Sequence, residues 1–414
     1  MRCALLITKW FFAAMRSWPD SANKTLYPIT AQAFAAVRSW PGSANKALLL
    51  LTILISVANS VGAQTGIYRK PVKLDWQLEY AEDDRSRKKT TEATVPGSVE
   101  LDIAKAENYG DFFFGENWMN YRWMEKRPFT YITEFSRPSL AAGERLFLIS
   151  GGIDYSFEIL FNGSELLQQE GIYTPVRLDL TDALKENNRL IINILPAPKL
   201  HPDPTHYIDF HPHLITSGIW DKTYLQIRKN AYIGDVQMYY TLNENLTAAG
   251  IRVTVEGANF PGNNLIWKLR DERDKIIVAK VIKPESNEVV IDATLERPNL
   301  WWPHDHGTPY LYTYELELRS TTNELLETFS KKVGFRRIEL VKNAGVWKKP
   351  FRLPDQVNAA AAQVVINGQK IFVKGAGITA PDIFTGNITQ ERYENITDLA
   401  VEANLNMLRV WCGT

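Results

Sequence analysis

The sequence predicts a mainly β chain: a jelly-roll β-sandwich, then an immunoglobulin-like β-sandwich, then the first strands and helix of a (β/α)8 barrel. Three observations predict it. Between residues 64 and 230, short apolar segments recur with turn residues between them. Between 231 and 339, apolar and polar residues alternate in further short runs. From Val364 to Thr414 the pattern changes to strand, loop, helix, strand. That last order is a βα unit, and barrels of such units carry their sites at the C-terminal strand ends and the loops after them.

Residues 1–63 stand apart from the fold. Phe12–Lys24 recurs almost unchanged as Phe34–Lys46. One duplication is no solenoid, which needs three or more repeats, so it reads as a translated upstream duplication. Lys46 then precedes the apolar run Ala47–Ala58, and Val61-Gly62-Ala63 precedes Gln64. A positive flank, a short apolar core and small residues before a cleavage point make a secretory signal peptide. The run is too short to span a bilayer, and no cysteine follows it to take a lipid. The remainder is expected to be exported, periplasmic or extracellular, with no stable membrane anchor.

In 64–230 the strand segments are Phe129–Phe135, Arg145–Ile149, Tyr155–Phe161, Val176–Leu180, Arg189–Leu195 and Thr223–Ile227, and the whole stretch reads as strands. Asn162-Gly163 is a hairpin turn, because both residues tolerate positive φ. Regular short strands over this length suit a jelly roll. In 231–339, Ile251, Val253 and Val255 alternate with polar residues, as do Tyr310, Tyr312, Tyr314, Leu316 and Leu318. That suits an immunoglobulin-like sandwich without the cysteine pair. In 340–414 a Lys- and Pro-rich linker leads to a second Asn-Gly hairpin, Val364–Ile366 with Gln369–Val373, whose second arm is taken as the first barrel strand. Lys374–Gly377 is read as the loop that follows. Thr389 caps a helix presenting Tyr393, Ile396, Leu399, Ala400 and Ala403 on one face, Asn404 ends it, and Leu405–Trp411 is the next strand.

Composition narrows the function. Net charge is zero, which sets aside a polyanionic partner such as nucleic acid. Aromatics make up 11% of the 414 residues, with 12 Trp, which serves sugar-binding faces and a large β core equally. Cys3 and Cys412 give no disulfide framework. His201, His206, His211 and His213 crowd one segment, but the prolines and irregular spacing read as a packed loop rather than a zinc site. No metal and no cofactor are expected.

Several motifs, in order, resemble glycoside hydrolase family 2. They are Val95-Pro96-Gly97-Ser98-Val99, Thr216-Ser217-Gly218-Ile219-Trp220, Asn299-Leu300-Trp301-Trp302-Pro303 with Pro309–Tyr312, and Val333–Glu339. Asn367-Gly368, Lys374–Gly377 and Asn404–Trp411 complete the set. Tyr207–Pro212 and Gly375-Ala376-Gly377 followed by Pro381-Asp382 resemble segments of exo-β-glucosaminidases and plant endo-β-mannosidases. β-Mannosidases are similar at the same two places in a different wording. Phe210, His211 and Ile378 stand where the family has Trp, Asn and Trp.

The resemblance implies retaining hydrolysis of a terminal β-linked glucosaminide or mannoside in an oligo- or polysaccharide. That chemistry uses two carboxylates about 5–5.5 Å apart. In the family both are glutamates on later barrel strands, the first preceded by Asn. Here Asn243-Glu244, Asn287-Glu288 and Asn323-Glu324 fall in β segments as turns or strand ends, and Glu391, Glu394 and Glu402 read as the solvated face of the barrel helix. The catalytic pair is therefore expected after Thr414, and no residue of the chain is assigned to it. The expected substrate contacts are Asp209, Phe210, His211, Asp382, Arg409 and Trp411. Asp209 accepts hydroxyls or pairs with an ammonium. Trp411 floors the sugar, and Arg409 sits inside the barrel needing a carboxylate. Turn duty competes with sugar binding at Asp209 and Asp382. Two other readings stand beside the enzyme: a non-catalytic carbohydrate-binding pair of sandwiches, and a decayed gene product.

Overall fold

A computed structural model describes residues 70–196, 214–343, 362–378 and 380–410. The duplicated leader and signal peptide, the histidine-rich segment with Asp209, Phe210 and His211, the Lys- and Pro-rich linker, and Trp411 lie outside the described residues.

The first sandwich uses β1 (Lys70–Val72), β2 (Trp76–Tyr80), β3 (Lys89–Ala93), helix α1 (Val99–Glu107), β4 (Phe129–Ser136), β5 (Glu144–Ser150), β6 (Ser156–Phe161), β7 (Ser164–Glu170), β8 (Val176–Asp179), β9 (Asn187–Leu195) and β10 (Thr223–Lys229). The strands pair antiparallel in the orders β3-β2-β4-β9-β6-β7 and β1-β10-β5-β8. Alternation explains the layering: Phe157, Ile159 and Phe161 of β6 point inward to meet Leu190, Ile192 and Ile194 of β9 and Leu146 and Leu148 of β5. Each such side chain contributes about 1.5–3 kcal/mol by leaving water. The Asn162-Gly163 turn has φ of 53° and 89°, as the sequence predicts.

The reading of 64–230 as strands alone is corrected by α1 and by a 3₁₀ stretch over Asn117–Lys126. Ser98 caps α1, accepting the Leu101 amide, and Glu100 and Asp102 sit in the first turn, where the helix dipole favours acids. Asn108 closes it at φ 56°. The period-two alternation of the flanking strands hid a nine-residue helix.

The second sandwich uses β11 (Tyr232–Leu242), β12 (Ala248–Ala258), β13 (Asn264–Arg270), β14 (Ile276–Ile282), β15 (Glu288–Glu296), β16 (Tyr312–Arg319) and β17 (Leu325–Val333). Their orders are β11-β12-β15 and β14-β13-β16-β17, all antiparallel. Trp267, at 0% exposure, sits in a core with Val253, Val255, Leu316 and Leu318. A buried ion pair joins this sandwich to the first. The Arg228 guanidinium of β10 donates to Glu327 of β17 at 3.0 and 3.2 Å. The Ile233 amide donates to the same carboxylate at 2.9 Å, and the Tyr232 ring lies 3.9 Å from the guanidinium.

Then β18 (Ile338–Lys342), β19 (Ala362–Ile366) and β20 (Gln369–Ile371) form a three-stranded antiparallel sheet. The Asn367-Gly368 turn has φ of 50° and 80°. Asn367 also accepts the Arg337 amide at 2.9 Å and donates to the Trp301 carbonyl at 2.9 Å, tying the hairpin to the second sandwich. After it, β21 (Gly375–Ile378) runs parallel to β22 (Met407–Val410), with helix α2 (Gln390–Glu402) between them. The parallel strand is therefore Gly375–Ile378, not Gln369–Val373, and Gly375–Gly377 is strand rather than loop. A Gly-Ala-Gly run carries no apolar side chains to signal a strand. Its glycine is needed, because a Cβ on Gly375 would sit 2.9 Å from the Met407 carbonyl. Thr389 caps α2 through the Arg392 amide, as expected. Of its apolar face only Ala400 is buried, while Tyr393 and Leu399 are exposed.

Candidate functional site

Two motifs far apart in sequence are stitched together in the first sandwich. The Gly97 amide donates to the Ile219 carbonyl at 3.0 Å, and the Val99 amide donates to the Ser217 carbonyl at 2.9 Å. Across from them, the Asp154 amide donates to the Gly218 carbonyl at 2.9 Å and the Gly218 amide donates back at 3.3 Å. Gly218 has φ 146°, and a Cβ there would press on Ser98 and on the Tyr131 hydroxyl. The sequence Thr216–Trp220 is thus wedged between α1 and the start of β6.

This arrangement presents Asp154 beside an aromatic wall. Trp220 donates its indole N–H to the Ile172 carbonyl at 2.8 Å. The indole lies over Gly152, where any Cβ would collide with it. Tyr173 meets Trp220 edge to face at 5.5 Å and stays half exposed. Burial pushes the Asp154 carboxyl up to about 7, with no cation to offset it. The Tyr173 phenol is raised by burial first, then by Asp154 and by Tyr393 of α2. A carboxyl that is half-protonated near neutrality both donates to and accepts from hydroxyl groups, and the adjoining rings offer apolar faces. Among the described residues, no group of three His, Cys, Asp or Glu side chains is placed to hold a metal ion.

The loop after β21 docks onto this sandwich. Phe384, at 2% exposure, enters its core and meets Phe112 at 5.3 Å. Gly386 lies so close to Gly97 that a Cβ would strike the Gly97 carbonyl. Asp382 is occupied within this loop: its Oδ1 accepts the Phe384 amide at 3.1 Å and its Oδ2 faces Arg392 at 3.4 Å. Arg409 stands on β22 in register with Gly377, with its side chain exposed. Asp209, Phe210, His211 and Trp411 fall outside the described residues.

Asp154 escaped the reading of the sequence. The signal for it was a single acid after Gly151-Gly152, immediately before the alternation of β6. Glu100 escaped as well, as an acid on the buried side of a helix that was read as strand.

Residues 76–233 match the model described as the glycosyl hydrolase 2 galactose-binding domain-like domain, and residues 231–336 match that described as glycosyl hydrolases family 2. Among curated proteins, β-mannosidase B of Aspergillus terreus is 26% identical over 380 residues, covering 84% of this chain and 43% of that protein. β-Mannosidase B of Emericella nidulans is 27% identical over 351 residues, covering 77% of this chain and 40% of that protein. The chain thus spans less than half the length of these relatives. Among solved structures, a β-D-mannosidase from Dictyoglomus thermophilum superposes with a TM-score of 0.69 at 24% identity, over 83% of this chain and 44% of that one. A β-glucuronidase from Parabacteroides merdae gives a TM-score of 0.61 at 16% identity, over 83% and 43%. At these identities the structures speak to the fold alone.

Proposed function

The chain belongs to glycoside hydrolase family 2, and from that membership we propose that it is the amino-terminal part of a retaining exo-β-glycosidase acting on terminal β-mannosides. The observation that carries the sugar site is Asp154, a raised carboxyl with no cationic partner, whose charge acts on Tyr173, the ring that meets Trp220 edge to face. The mannoside is preferred to the glucosaminide because the curated relatives above are β-mannosidases. Asp209, Phe210, His211 and Trp411 are proposed to complete the rim.

The same proposal covers the organisation. The strand orders of the second sandwich support an immunoglobulin-like unit over 231–339, after a jelly roll over 64–230. The parallel β21-α2-β22 unit supports a barrel opening within 340–414. Export rests on the signal-peptide pattern before Gln64.

Two measurements test the reading. Sequencing the gene through codon 414 and onward is expected to find a frame with barrel strands, an Asn-Glu pair and a later Glu. A stop with no such frame overturns the enzyme and leaves the sugar-binding alternative, which the position of Asp154 in the first sandwich favours. The purified 414-residue chain is expected to bind a mannobiose by calorimetry without cleaving 4-nitrophenyl β-mannoside. Metal-independent turnover would contradict the assignment of catalysis to residues after Thr414.

A further inference from the structure

Glu100 is wholly buried, and nothing in the sugar-facing wall requires an acid there. It lies on the inward side of α1 beside Val99, Ile103 and Ala104. Its Oε1 accepts the Ser217 amide at 2.9 Å, and its Oε2 has no hydrogen-bond partner. The groups acting on it are its own amide, the Ser217 amide, the Ser98 hydroxyl and the Asp154 carboxyl. Tyr131 of β4, also wholly buried, and Asp102 of α1 complete the titratable set. None of these is a cation.

We propose that Glu100 is the positioning residue of the Asp154 site: as a neutral acid it clamps Ser217, and so seats Gly218 against Asp154, and loss of its proton opens the clamp. The geometry favours this over passive packing. Ser217 and Gly218 are adjacent, so the hydrogen bond to Glu100 acts with the Gly97–Ile219 and Val99–Ser217 backbone bonds on where the Gly218–Asp154 pair lies, and it is the side-chain bond among them. A charge at Glu100 would face the Asp154 carboxyl with no counterion. Its own amide, the Ser217 amide and the Ser98 hydroxyl favour that charge, but burial outweighs the three together. Letting water reach the carboxylate requires residues 216–219 to lift. Burial holds Glu100 up to about 8, above Asp154 at about 7.

The clamp is testable without sugar, while its effect on sugar affinity rests on the reading of Asp154 given above. Hydrogen exchange is followed by mass spectrometry on the full chain, in peptides covering residues 214–222, with rates corrected for intrinsic pH dependence. Because the open form ionises at ordinary carboxylate pH, protection is expected to fall by up to about tenfold per pH unit toward about pH 8 and to level off above it. The diagnostic window lies between about pH 7 and 8, where Asp154 completes its titration in wild type and variant alike. There the wild type is expected to keep losing protection, and Glu100→Gln, neutral at every pH and still an acceptor, to hold steady. Glu100→Ala is expected to be unprotected throughout. Should that variant fail to fold, the comparison of wild type with Glu100→Gln decides alone. Identical pH courses for those two, or a flat course for the wild type, would overturn the clamp.

Discussion

Three carboxyls in one corner of the first sandwich are held above their usual range: Glu100 to about 8, Asp154 to about 7 and Asp102 to about 6, each chiefly by burial. A raised acid binds its proton more tightly when folded than when unfolded. Its contribution is therefore whole below the unfolded pKa and is lost as pH rises through the folded one. Stability toward urea is expected to decline from about pH 5 to about pH 8, by on the order of several kcal/mol for the three together. A denaturation midpoint that rises over that range would contradict it. None of this was legible in the sequence. Glu100, Asp154 and Ser217 lie far apart along the chain, and only the meeting of their segments removes water from them. What the sequence did show was the pair of motifs that meet there, Val95–Val99 and Thr216–Trp220.

At the scale of elements, patterns in apolar side chains were readable and patterns in backbone were not. The two Asn-Gly hairpins, the Thr389 cap and the strands of both sandwiches follow from periodicity and turn chemistry. Helix α1 was hidden by its length, and β21 by having two glycines in four residues. The docking of the loop after β21 was equally silent, since Phe384 is one aromatic in an irregular stretch. Its burial makes it a clear test. Phe384→Ala is expected to cost about 3–5 kcal/mol, and to speed exchange selectively in residues 382–389 and around Phe112. An unchanged exchange pattern in both places would show that the loop does not depend on that anchor.

Over the whole molecule, the order of two β-sandwiches before a parallel strand-helix-strand unit was the most legible feature, because family resemblance reports sequence order better than it reports contacts. The joint between the sandwiches was not legible. Arg228 and Glu327 read as ordinary strand charges, yet they are 1% and 3% exposed and bonded to each other. Glu327→Ala would strand the guanidinium and is expected to cost about 3–5 kcal/mol. The joint change of Arg228→Met and Glu327→Leu is expected to restore most of that loss, and a thermal melt distinguishes the cases. Additive losses in the double variant would mean that the charges do more than satisfy one another.

Phe384 also decides where this protein can be cut. The first sandwich looks self-sufficient along the chain, yet one wedge of its interior arrives from some 150 positions downstream of β10, counted from Lys229 to Phe384. A fragment ended between the second sandwich and the β19-β20 hairpin would be complete in strands and still have a hole beside Phe112. Any minimal fragment made to test the proposed sugar binding should therefore retain the stretch through Asn387, or fill the gap with a larger residue in place of Phe112.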